Sequence, residues 1–239
     1  FDIQLSTICS KFPISTIFLL GSIFPLVALL LVFIYPLKED KLKPNRHNNV
    51  IENITSFFKD RDLRSLYFIS VGLIVWWSII YTFAPLFIIS SGLSTSFIGY
   101  LLFAATIPLI VLEIPAGKLA DRNGFRKYFF FGFLIIALAA GLSYFFNPII
   151  TLVLFALASV GAAFLEPLRE TYFLEKVRKE EVAHKYAVYR TSIETGQIFG
   201  PLIFSTILLY SGFKYLFLSV AVLMLVFAFV ALQIREIKK

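Results

Sequence analysis

The chain is 239 residues long and 59% hydrophobic, with a mean hydropathy of +0.84 and only 15% charged residues. Soluble domains carry about 25% charged residues, so a disordered chain, a fibrous chain and a water-soluble enzyme are all excluded. The net charge of +7 comes from 22 basic and 15 acidic residues; in so apolar a chain, where those charges fall matters more than their sum.

A hydrocarbon core about 30 Å thick is crossed by about 20 apolar helical residues. Seven stretches meet that length: Pro13–Leu37, Leu66–Ser91, Ser94–Gly117, Lys127–Phe146, Pro148–Leu168, Tyr186–Tyr210 and Lys214–Leu232. They are too long for barrel strands and do not alternate, so the predicted fold class is an all-α integral membrane protein with seven transmembrane helices. The chain opens on Phe1, which reads as a fragment or a processed product. The first span is longer than the apolar region of a signal peptide and lacks a small-residue cleavage site.

Between the first two spans lies a basic connector. Within it, Val50–Lys59 has Ile51, Ile54, Phe57 and Phe58 on one helical face, predicting a short amphipathic helix along the membrane surface. Later breaks carry turn residues: Ser91-Gly92, Asn147-Pro148 and Ser211-Gly212. Of the 22 Lys and Arg, all but Lys11 and Lys214 fall on one side of these spans. That asymmetry places this basic face and the C-terminus in the cytoplasm. It accounts for the net charge through anionic lipid, without nucleic acid. It also removes Asn53-Ile54-Thr55 as a glycosylation site, because that sequence falls on the cytoplasmic side.

The connection between the third and fourth spans reads Gly117-Lys118-Leu119-Ala120-Asp121-Arg122-Asn123-Gly124-Phe125-Arg126-Lys127. As a physical object it reads as a compact turn. Gly117 lets the span end close to its neighbours, Gly124 permits a positive φ, and Asp121 can accept from Arg or from a helix N-terminus. The run resembles the signature loop of the major facilitator superfamily: Gly, three residues, Asp, a basic residue, any residue, Gly, then basic residues. Gly117, Asp121, Arg122, Gly124, Arg126 and Lys127 match it; Phe125 stands where family members usually carry a basic residue. Glu113-Ile114-Pro115-Ala116-Gly117 adds a proline close to the cytoplasmic end of the span, as in many members.

The resemblance implies a twelve-helix transporter of nested three-plus-three repeats. This loop follows the second helix of a six-helix half. Residues 1–37 would then be the last helix of the N-terminal half, 38–65 the cytoplasmic interdomain loop, and 66–239 the C-terminal half. The N-terminal half of the same transporter becomes the implied partner, beside membrane lipid and a small-molecule substrate. The implied loop role is to stabilise one arrangement of the cytoplasmic gate.

Charged groups near the membrane centre cost about 2.5–3.5 kcal/mol each on insertion scales and tend to be functional. The candidates are Glu113, Glu166, Arg169, Glu170, Arg190 and Glu194. Glu166, Arg169 and Glu170 share a helical face, as do Arg190 and Glu194. Two readings stand side by side: gating pairs and proton carriers, with Glu113 and Glu194 foremost, or static pairs and snorkelling side chains. Gly196-Gln197-Ile198-Phe199-Gly200-Pro201 offers either a close helix approach or a hinge.

The expected cavity is poor in charge. Its candidate lining residues are Trp76, Trp77, Tyr81, Thr106 and Gln197, with Ser78, Ser159 and Ser205 as further polar groups. The 28 Phe residues suit an apolar or amphipathic solute, although a Trp pair also serves plain packing. His47 and His184 lack metal-ligand spacing, Cys9 has no neighbouring His, and no phosphate-binding glycine loop occurs. No catalytic residue, cofactor or metal is therefore expected. The expected function is ion-gradient-coupled efflux by alternating access at the plasma membrane. Proton-coupled uptake and a non-transporting sensor of the same family are the alternatives.

Overall fold

The computed structural model describes residues 14–35 and 50–236. Cys9, Lys11, His47, Lys238, Lys239 and the basic run from Lys38 to Arg46 lie outside the described residues. The chain divides into two units, residues 1–45 and residues 46–239. In the first, α1 (Ile14–Ile34) is one apolar helix of 21 residues with Pro25 inside it.

The second unit is a bundle of six helices: α2 (Val50–Lys59), α3 (Arg61–Ser90), α4 (Ser96–Asn123), α5 (Phe125–Leu142), α6 (Pro148–Lys176) and α7 (Val182–Ala231). The last five are long and apolar enough to cross a membrane. No strand occurs among the described residues. At 1.5 Å per residue, the 50 residues of α7 would measure about 75 Å, more than twice a hydrocarbon core. Gly212 resolves this with φ 75° and ψ 177°, an extended left-sided conformation that suits glycine.

Ring contacts and hydrogen bonds on either side of Gly212 show the reversal. Residues 182–211 run along α3 in the same direction: Tyr67 meets Thr195, and Phe83 meets Phe204. Residues 213–231 run back: Phe217 meets Phe87, and beyond the helix the Arg235 N–H reaches Asp62. The two expected spans Tyr186–Tyr210 and Lys214–Leu232 therefore stand as two passes joined at a single glycine.

Most helices extend past the apolar stretches, and always toward the basic end. Asp60 caps α3, its Oδ1 accepting from the Asp62 N–H at 2.8 Å and the Leu63 N–H at 3.3 Å. The helix thus begins five residues before Leu66. At the same end, α4 passes through Gly117 to Asn123, and α6 continues past Leu168 to Lys176. The expected loop from Gly117 to Lys127 is corrected accordingly: the turn is confined to Gly124. Hydropathy marks the lipid zone, whereas caps and glycines mark where a helix stops. A Cβ on Gly117 would have nothing within 4 Å among the described residues.

Aromatic side chains fill the interior. Trp76 meets Phe155 edge-on at 5.7 Å, Phe155 meets Phe217 at 5.0 Å, and Phe133 meets Phe227 at 5.7 Å. Lipid tails are as apolar as these rings, so close packing rather than water exclusion holds the helices together. Small residues permit that approach. A Cβ on Gly196 would lie 2.7 Å from Ile74 Cβ, and one on Gly200 would lie 2.7 Å from Ser78 Oγ. The helix α2 occupies the predicted residues but stands on the bundle through Phe57, which is fully buried against Phe58 and Tyr67. Ile51 and Ile54 of the same predicted face remain exposed.

Candidate functional site

Two cavities of about 540 Å³ each adjoin one another and share Leu109 and Glu166 as common walls. The first is lined by Trp77, Ser78, Tyr81, Thr82, Gln197 and Pro201. The second lies nearer the basic end and carries Glu113, Arg169, Glu170 and Thr171.

The first cavity owes its shape to a break in helical regularity. Ile79–Phe83 form a π turn within α3, closed by the Ala84 N–H donating to the Ile79 carbonyl. Pro85 follows; it has no N–H to give the Tyr81 carbonyl, and its ring would crowd that oxygen in an ideal α-turn. A wider turn relieves the clash. It brings Tyr81 and Thr82 to the cavity together, with the Tyr81 ring stacked on Trp77 at 5.5 Å and 23°. The glycines at 196 and 200 bring residues 182–211 close against α3, which carries Gln197 and Pro201 to the opposite wall.

Glu166 stands where the cavities meet. Its Oε2 accepts from the Trp77 Nε1–H at 3.0 Å, and its Oε1 accepts from Arg169 Nη2 at 2.6 Å. Arg169 is 5% exposed and donates through Nη1 to Ser70 Oγ at 2.7 Å. A buried guanidinium is thus paired with a carboxylate and a hydroxyl, the condition under which a charge is tolerated among apolar helices. Tyr189 and Ser192 are buried polar residues on the facing helix.

Of the expected charge pairs, Glu166 with Arg169 forms. Among the described residues no ion pair within 4 Å joins Arg190 to Glu194 or to Glu170. Both Arg190 and Glu194 are exposed and border neither cavity, whereas Glu113 lines the second. Trp77, Tyr81 and Gln197 line the first cavity. Trp76 does not: it is fully buried in the core, because adjacent helical residues point about 100° apart. Thr106 also lies away from both, its hydroxyl donating to the Leu102 carbonyl at 2.8 Å. Sequence reading missed Ser70, Thr82 and Leu109, which look like ordinary span residues until the packing places them.

At the signature sequence, Asp121, Arg122 and Lys127 are exposed at the basic end. Gly124 adopts φ 84° and ends α4. Phe125, the residue that departs from the family pattern, is 2% exposed and packs edge-on against Tyr172 at 5.3 Å. Arg126 lies 3.8 Å from Glu236, a residue that sequence reading did not single out. The signal available was an acidic residue set among Arg235, Lys238 and Lys239.

Residues 77–239 match the model of the Major Facilitator Superfamily. The chain belongs to that superfamily. It is therefore a multi-pass membrane protein with an all-α fold. It is also 29% identical over 136 residues to "Multidrug resistance protein 2" of Bacillus subtilis (strain 168). That match covers 56% of this chain and 32% of the relative, so the chain spans about a third of that protein's length.

Proposed function

We propose that this facilitator chain is the C-terminal half, with one preceding helix, of a transporter that exports lipophilic or amphipathic small solutes by alternating access. In this reading α1 closes the N-terminal half, residues 38–65 link the halves, and the basic end faces the cytoplasm from the plasma membrane. The observation that carries the proposal is the wall of the first cavity. Stacked Trp77 and Tyr81 offer an apolar face, while Glu166, Gln197, Ser78 and Thr82 offer a few polar atoms. Ligand pockets of this size are commonly built that way. The name of the multidrug-resistance relative agrees with it.

An ion gradient supplies the energy in this proposal, and proton antiport is the sharper form. Glu113 and Glu194 are its coupling carboxylates, joined by Glu166 because that residue stands between the cavities. The test uses the full-length transporter in proteoliposomes loaded with a fluorescent lipophilic dye. An imposed pH gradient is expected to drive dye movement, and a protonophore to stop it. Dye that stays put under the gradient would favour a non-transporting sensor. Movement unaltered by the Glu113→Gln, Glu194→Gln double variant would remove those two residues from the coupling.

A further inference from the structure

The C-terminal segment after α7 folds back under the basic end of the bundle and touches three helices. The Arg235 N–H donates to Asp62 Oδ1 at 3.1 Å, at the start of α3. The Arg235 carbonyl accepts from the Tyr172 hydroxyl of α6 at 2.9 Å. Ile234 between these anchors and α7 is 1% exposed. Asp62, itself 2% exposed, also pairs with Lys176 at the end of α6.

Glu236 makes the third attachment. The first N–H groups of α5 have no intrahelical partner, and the position before them is Gly124, which has no side chain to cap them. The cap comes from the far end of the chain: the Phe125 N–H donates to Glu236 Oε2 at 2.9 Å. A carboxylate at that end of a helix also meets the favourable end of its dipole. Arg126 Nε lies 3.8 Å from Glu236 Oε1, close enough for ion pairing though too long for a hydrogen bond. A Cβ on Gly124 would overlap the Glu236 carboxylate, so the glycine serves twice, once for its φ of 84° and once for the notch it leaves. The other wall of the same cleft, about 320 Å³ in volume, carries Asp121 and Arg122.

We propose that Glu236 is a positioning residue for the signature turn: seated in the Gly124 notch, it caps α5 and fixes the Gly124 turn and the Arg126 side chain beside it at the basic end. This rests on the transporter reading above, since the turn matters to function only if the halves rock. Glu236 touches no solute. Its effect is to keep the turn in one conformation, so that whatever the turn meets during the cycle meets the same surface each time. Losing the cap frees the first turn of α5, and the turn then spends part of its time in other conformations.

The experiment uses the full-length transporter in lipid nanodiscs and proteoliposomes, as wild type, Glu236→Ala and Glu236→Gln. Hydrogen exchange of residues 125–128 reads the cap directly, without any transport. Initial rates of dye efflux across a range of concentrations read its consequence. Glu236→Ala is expected to speed exchange in residues 125–128 about tenfold, as expected for losing a charge-assisted bond to a helix terminus. The maximal efflux rate should fall severalfold while KM changes less than about twofold, since uniform binding at the cavity is untouched. Glu236→Gln keeps an acceptor for the Phe125 N–H and should lie between the two; it carries the test if the alanine variant does not accumulate. Unchanged exchange in both variants would overturn the cap. Faster exchange with an unchanged maximal rate would overturn the positioning role and leave a structural cap only. A wild type that never moves dye but shows the exchange effect would sink the transporter reading while the cap stands.

Discussion

Glu166 and Glu236 are held in much the same way in two very different places. Each carboxylate is paired with an arginine and accepts one N–H from another residue, the Trp77 indole in one case and the Phe125 backbone in the other. Their own exposures are nearly equal, 32% and 33%. Their partners differ: the Arg169 side chain is 6% exposed and the Arg126 side chain 43%. Inside the bundle the arginine has no water to fall back on, so pairing is a condition for having the charge there at all. At the basic end solvent screens the ion pair, and the backbone hydrogen bond is what gives the carboxylate its place.

The largest expected effect breaks the inner arrangement. Arg169→Leu leaves Glu166 without its cation and Ser70 without its donor, and should lower stability by about 3–5 kcal/mol. Thermal unfolding in detergent checks this. The double variant Arg169→Leu, Glu166→Leu should recover most of the loss, because two apolar side chains leave no unpaired charge. A double variant as unstable as the single would mean that volume, rather than charge, sets the cost.

The second comparison is between glycines. Gly196→Val must push a methyl-bearing carbon against Ile74, which sits 2.7 Å from the position of its Cβ. Overpacking of this kind costs about 1–3 kcal/mol. Gly117→Ala meets nothing within 4 Å among the described residues and sits inside α4. It should raise helix stability by up to about 1 kcal/mol. If it lowers function while raising stability, Gly117 faces something beyond these residues.

The smallest effect lies at the basic surface. Hydrogen bonds from Lys185, and then from Arg178, hold the Glu181 carboxyl below its usual range. A depressed carboxyl stabilises the folded form above its unfolded pKa, and that contribution is lost as pH falls through the folded value. Glu181→Gln should therefore lower the melting temperature slightly at pH 7, by an amount that shrinks as pH falls below the ordinary carboxylate range. The Glu181 side chain is one third exposed and its partner Arg178 mostly so, and solvent screening keeps the effect to about a few tenths of a kcal/mol. A difference that stays constant as the pH is lowered would point to packing instead.

The apolar spans were legible in the sequence because lipid demands long greasy runs, and the break at Ser211-Gly212 was visible as turn chemistry. The ends of helices were less so. Asp60 and Gly124 terminate helices by hydrogen bonding and backbone conformation, and neither changes hydropathy. In the site, Glu166 and Arg169 stood out as charges in an apolar run, and their spacing foretold the pair. Trp76 and Trp77 could not be told apart without knowing which way the helix faces. Glu236 was hidden for the opposite reason: in a charged tail, one more charge carries no signal until the fold brings it 111 positions back to Phe125.

The central claim is that solute passes the Glu166 wall on its way across the membrane. The direct measurement is gradient-driven dye efflux by the full-length transporter carrying Arg169→Leu with Glu166→Leu, which removes the charge from that wall without leaving a buried guanidinium unpaired. A fall of about tenfold or more, with the protein folded and inserted as before, is the predicted result. Efflux at the wild-type rate would contradict the claim and move the pathway elsewhere.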